Sequence, residues 1–409
     1  MLGTLLDQLT GYFSKFFLIG SFFPVLFAAA INGMLAYMQF PGFRLVIAQY
    51  PDQSAANEVY YTVSLLIALA VAAYLVSMLK QYLQEILEGE HWPSTTLVRS
   101  VLTDPLLQRQ NARLRGCEDD LENVRRGRRQ IRAAAPKLIA ALAEARSAGK
   151  EKGGSPTYDP QTAQQLVELQ HARDRGALIE TAALSATVTS LGAALQTGDA
   201  ANDLALDRAQ QRLVAIILYA NARWDEAYIA AFARRRALFG DAAVRPTGFG
   251  NIAATIRSYA ASRYSMNLEA FWMRLQPILQ QKELSFEDLQ QSKARLDFMV
   301  TMFWLWAITV LFWLVLIAVS GHGLILFLGI AVAGPVVLVL WYGLALTNYV
   351  AFAQTVRSSI DLNRFDLLRA LHMPLPAGLE EERAVWDALN QLTQHGESPP
   401  LVYEHGMGS

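Results

Sequence analysis

FMVTMFWLWAITVLFWLVLIAVSGHGLILFLGIAVAGPVVLVLWYGLALTN, residues 298–348, decides how this chain folds. Neither Phe298–Ser320 nor Leu324–Asn348 contains Asp, Glu, Lys or Arg. Each is long enough for a helix to cross about 30 Å of hydrocarbon, which takes roughly 20 apolar residues at about 1.5 Å of rise each. Gly321-His322-Gly323 leaves room only for a tight turn, so the stretch reads as a hairpin of two crossings. Phe16–Met38 and Tyr60–Leu79 form a second apolar pair near the other end. Phe16–Met38 is too long for a secretory h-region and is followed by no A-x-A-like cleavage site, so it reads as a retained crossing.

The spacing predicts an all-α integral membrane protein with four transmembrane helices in two hairpins and a large cytoplasmic, coiled-coil-like helical domain. Its parts are an amphipathic lead over 1–15, a first hairpin over 16–79, a helical domain over 80–297 and a second hairpin over 298–348. Helices over 349–395 and a disordered tail over 396–409 complete it. In this topology the loops facing away from the domain, 39–59 and 321–323, hold only Arg44 of the 35 Lys and Arg residues. Lys15, Lys80, Lys293, Arg295 and Arg357 flank the crossings on the other side. The positive-inside rule then places both termini and the central domain in the cytoplasm, with the chain multi-pass in the inner membrane. The net charge of −1 supplies no field that would recruit nucleic acid. The one cysteine, Cys117, excludes an internal disulfide framework and a Cys-rich zinc site.

Within the domain, Lys80–Glu90 continues the second crossing as helix until His91-Trp92-Pro93 breaks it, because Pro disfavours helix in the residue before it. Leu106–Ser147 carries a seam of Cys117, Leu121, Val124, Ile131, Ala135, Leu138 and Leu142 at alternating helical steps, with Pro136 as a predicted kink. The charges off this seam, Arg125 to Arg129 against Glu118 to Glu122, read as a solvated face. Gly149–Pro160 is linker-like, Gln161–Gln196 reads as one helix rich in small residues, and Thr197–Asn202 as a turn. Asp203–Phe239 carries a second seam: Leu206, Leu213, Ile217, Ala220, Trp224, Ala227 and Ala231. Asn251 and Asn267 are expected as helix caps. Ser285-Phe286-Glu287-Asp288 reads as a capping box opening an unbroken rod from Phe286 to Ser320. Helix is expected to continue after Asn348 to about Leu371, to stop at Pro374 and Pro376, and to resume over Gly378–Leu392.

Arg245-Pro246-Thr247-Gly248-Phe249-Gly250-Asn251, then Arg263-Tyr264, then Trp272-x-Arg274-Leu275-x-Pro277 form a recognisable series. With Asp361-x-x-Arg364 and Trp386 it resembles a family of uncharacterised bacterial four-helix membrane proteins that carry a PTxxGN…RY…WxRLxP segment. That resemblance implies the domain plan and brings no activity. Physically, glycines at a helix N-terminus favour an anion, through free N–H groups and the helix dipole. Arg245, Thr247, Gly248, Gly250, Asn251, Arg263 and Arg274 are therefore candidates for binding a phosphate or lipid headgroup. The competing reading is that Gly and Pro shape the loop while the arginines pair with acids. P-loop spacing is absent, and none of the six histidines falls in a metal-binding motif, so no cofactor or metal is expected.

Within the crossings, polar candidates for pore lining or helix packing are Asn32, Ser64, Ser77, Thr301 and Thr309, with Pro335 as a bending point. The lack of charge at depth argues against ion-coupled transport. The function expected is a non-enzymatic membrane-anchored sensor or effector, homo-oligomeric and lipid-contacting. It would relay a signal from a cytoplasmic protein partner to the membrane, with pore formation as its stronger form. A passive scaffold and a lipid- or nucleotide-handling enzyme are the alternatives.

Overall fold

The computed structural model describes residues 14–48, 55–90, 92, 95–149, 160–196, 203–321 and 323–395. The lead over 1–13, the linker, the turn at 197–202, the break at His91 and Pro93 and the tail over 396–409 lie outside them. Helix accounts for 90% of the structure, with no strand among the described residues. In chain order the helices are α1 (Lys15–Gln39), α2 (Pro41–Ala48), α3 (Ala55–Glu88), α4 (Asp104–Gly149), α5 (Pro160–Asp174) and α6 (Thr181–Gln196). They continue with α7 (Asp203–Leu238), α8 (Gly248–Tyr264), α9 (Leu268–Gln280), α10 (Glu283–Ser320), α11 (Leu324–Ala370) and α12 (Leu379–Asn390). Four of these are long and apolar enough to cross a membrane: α1, α3 from Val59 to Glu88, α10 and α11.

The chain divides into two compact units, residues 1–110 with 237–409, and residues 111–236. In the first unit α10 and α11 form the most extensive helix pair, and α10 also packs on α1 and α3. A π-helical turn, Leu18–Phe22, widens α1 where it meets α10. Thr301 donates to the Gly20 carbonyl within that turn at 3.2 Å. α10 and α11 run unbroken well past their apolar stretches, and α8, α9 and α12 pack around those extensions. The core there is Phe271, Leu275, Leu279, Ile360, Leu367, Leu368 and Trp386.

In the second unit, α4 and α7 run antiparallel. Ion pairs Glu118–Arg235, Arg128–Asp225 and Arg146–Asp207 mark one register, each partner falling as the other rises. The two seams supply much of the core: Ile131, Ala135, Leu142, Leu206, Leu213, Ile217 and Ala220 are buried with Leu184, Leu191 and Leu195 of α6. Trp224 donates to the Ile179 carbonyl at 2.8 Å and covers Gly127 of α4, where a Cβ would overlap the indole ring.

Several local expectations are corrected. Gln161–Gln196 is two helices, because Gly176 at φ +70° turns the chain between α5 and α6. Asn251 is not the cap of α8: Thr247 is, its hydroxyl accepting from Gly250 N–H at 2.8 Å. Ser285 opens no helix, since α10 already starts at Glu283 after Lys282. The loop over 39–59 contains α2. Asn267 does cap α9, accepting from Ala270 N–H at 3.2 Å.

Two glycines on α4 separate packing from propensity. Gly116 has open space around a would-be Cβ, so Gly116→Ala is expected to stabilise by up to about 1 kcal/mol, the helix-propensity gain. Gly127→Ala has the same gain but must displace the Trp224 ring, an overpacking cost of about 1–3 kcal/mol. Thermal unfolding of the full chain should show the two changes with opposite signs.

Candidate functional site

The glycine-rich segment folds as a packed junction. Thr247 caps α8, Asn251 accepts from Arg245 N–H at 2.6 Å, and its amide donates to Gln110 at 3.3 Å. Gly248 lies against Leu346, and a Cβ at Gly250 would overlap the Glu88 carbonyl, so these glycines permit close approach of α8 to α11 and α3. The arginines of the motif have different partners. Arg257 reaches Glu88 and Glu90, Arg263 reaches the Tyr259 hydroxyl, and Arg274 donates to the Ala270 carbonyl of its own helix. Of these arginines only Arg257 pairs with acids, while Arg263 and Arg274 bond a tyrosine hydroxyl and a backbone carbonyl.

What the structure assembles is a belt of ionisable groups where α3, α10 and α11 leave their apolar stretches. Glu88 is 4% exposed. A buried carboxylate is tolerated only when paired and hydrogen-bonded. Glu88 accepts from the Tyr349 hydroxyl at 2.6 Å, from Gln84 at 2.8 Å and from Arg257 at 3.0 Å. Gln84 also accepts from Lys293 at 3.1 Å, and Lys293 bonds Asp297 at 2.5 Å. Asp297 is shared with Lys80 at 3.6 Å. Gly20 makes room for that lysine: a Cβ there would sit 2.9 Å from the Lys80 ammonium nitrogen. The belt thus joins α8, α3, α10 and α11 through side chains, beside the π-turn of α1.

A second cluster unites motif parts that lie far apart in sequence. Tyr259 and Tyr264 of α8 both donate to Asp361 of α11, at 2.7 and 2.8 Å. Arg364 pairs with buried Glu382 of α12 at 2.7 Å, bonds the Asp361 carbonyl, and lies over the Tyr264 ring. The Arg263-Tyr264 and Asp361-x-x-Arg364 motifs therefore form one scaffold holding α8, α11 and α12, and Trp386 packs on Phe271 beside it.

Within the apolar stretches, Asn32 donates to Thr309 at 3.0 Å and accepts from Trp313 at 2.8 Å, tying α1 to α10. Gly334, next to Pro335, accepts from the Trp306 indole at 3.1 Å. Ser77 lines a groove at the belt, and Ser64 is exposed on α3. Among the described residues no group of His, Cys, Asp and Glu could hold a metal ion. Sequence reasoning missed the belt, because Glu88 and Tyr349 stand 261 residues apart and no spacing rule links them. The available signal was the polar residues Lys80, Gln84, Glu88, Lys293 and Asp297, in stepwise helical phase just outside the apolar stretches.

Tyr349→Phe removes a donor from a buried carboxylate and is expected to cost about 1–3 kcal/mol, measured by thermal unfolding of the full chain in detergent. Burial, then the bond to Asp361 and its charge, pushes the Tyr264 hydroxyl up to about 12. The folded value lies above the ordinary value of about 10, so its contribution is complete below about pH 10 and lost as pH rises through about 12. An ultraviolet tyrosinate titration should show an ionisation step near pH 12 that Tyr264→Phe removes.

No family model matches this chain, and comparisons with curated proteins and with solved structures return no match either; the bacterial membrane-protein resemblance therefore rests on its motif residues alone.

Proposed function

We propose that this protein is a membrane-anchored helical relay without chemistry of its own. In this reading the cytoplasmic helices sense or bind a protein partner, and α10 and α11 carry the resulting displacement to the inner membrane. The observation that carries it is the continuity of these two helices: 38 and 47 residues, each a single element from an apolar stretch into the α8–α9–α12 body. A rigid rod passing from one environment to the other transmits translation or rotation, the common currency of switching proteins. The belt from Lys80 to Arg257 cross-links those rods where the environments change, so that they move as one.

The oligomeric, pore-forming form of this reading has its own support. Residues 59–68 of α3 are exposed on every side, unlike the segment nearer the belt, where Leu69 and Ala73 are buried. A second copy is the partner we propose for that surface.

The relay is tested with the full chain in nanodiscs of differing hydrocarbon thickness. Mismatch changes helix tilt, so amide exchange over Gly248–Gln280 is expected to change with thickness. Exchange that is identical in every bilayer would leave a passive scaffold. Dye release from liposomes decides the pore form: protein that oligomerises without releasing dye removes the pore and leaves the relay.

A further inference from the structure

All four apolar stretches end around one groove of about 930 Å³. Phe16 and Phe17 stand at the start of the first, Ser77 and Lys80 at the end of the second, Lys293 to Asp297 before the third, and Phe352 after the fourth. The walls are largely apolar and aromatic, with Trp272 and Met273 of α9 facing Phe286 and Leu289 of α10. Met273 is 73% exposed, although it belongs to an apolar wall. The floor is different in character. Lys80 and Lys293 share one carboxylate, Asp297, and with the Arg257–Glu269 pair that also lines the groove its charged residues leave one positive charge in excess. Lys80 is held there inside the helix packing, its side chain 14% exposed, and Gly20 vacates the space it fills.

An apolar slot with cations in excess at its base, opening where apolar helices end, matches one kind of molecule. We infer that the groove binds a single anionic phospholipid of the adjoining leaflet. Its phosphate would lie by Lys80 and Lys293, and its chains would run from there past Phe16 and Phe17 into the leaflet. The charge complementarity selects an acidic over a zwitterionic headgroup, while the slot distinguishes this site from diffuse attraction of surface cations to an acidic membrane. A lipid bound here touches α1, α3, α9, α10 and α11 at the belt. The inference rests on the four helices spanning a membrane, as in the proposed relay, and would set which leaflet composition that relay works in.

The full chain is reconstituted into nanodiscs containing equal phosphatidylglycerol and phosphatidylcholine, and a parallel sample into vesicles for flotation. Native mass spectrometry after gentle detergent extraction should show one retained phosphatidylglycerol, preferred about fivefold or more over phosphatidylcholine. Lys293→Gln is expected to reduce that preference about fivefold. Met273→Glu, which sets a carboxylate at the mouth, should reduce it as well. Arg295→Gln, exposed on the same turns of α10 but outside the groove, should leave it unchanged. Equal retention of the two lipids, an equal loss in Arg295→Gln, or binding of inorganic phosphate as tight as that of the lipid would each overturn the inference. Flotation separates the two levels: protein that floats but shows no preference keeps the membrane relay and loses the lipid site, whereas protein that fails to float loses both.

Discussion

The buried carboxylate of Glu88 is the constraint around which the first unit is organised. An uncompensated charge in a low-dielectric interior is among the most costly features a fold can carry, so its partners are obligatory rather than decorative. Meeting that demand requires Tyr349 from α11, Gln84 one turn back on α3, and Arg257 from α8 at the same point. It also explains why Gly250 must be glycine, since α8 has to approach the Glu88 carbonyl closely for Arg257 to reach the side chain. The arrangement fixes the apolar helices and the α8–α9–α12 body relative to each other inside this unit. From Gln84 the same network extends through Lys293 and Asp297 to Lys80.

The polar contacts deeper in the apolar stretches follow another rule. Asn32, Thr309 and Trp313 satisfy one another, as do Trp306 and the Gly334 carbonyl, which is what polar groups on helices suited to a membrane require wherever water is absent. Such closed pairs make good helix-packing contacts and weak pore linings. Any conducting path would therefore be built between copies of the chain, along faces such as residues 59–68 that this chain leaves uncovered.

Much of the local structure was legible along the chain. The apolar stretches, the unbroken continuation of α10 and α11, the cap at Asn267 and the two seams of the second unit all follow from periodicity and composition, and periodicity is a property of neighbours in sequence. The errors were local as well. At the start of α8 both Thr247 and Asn251 have side chains suited to capping, and only the approach of Gln110 and the Arg245 backbone drew Asn251 away from that role. Near Gly176 the small-residue pattern concealed a turn that a positive φ makes easy for glycine.

By itself, then, the sequence determined that this protein is helical, with four helices suited to a membrane and an apolar seam on each long helix of the insert, because each of these is written within a few turns of helix. The tertiary structure alone decided which polar residues act together. Glu88 with Tyr349 and Arg257, Lys80 with Asp297 and Lys293, and Asp361 with Tyr259 and Tyr264 are pairings across long stretches of chain. Their partners are chosen by where helices end in space, and a carboxylate's need for a donor does not specify from which helix that donor comes.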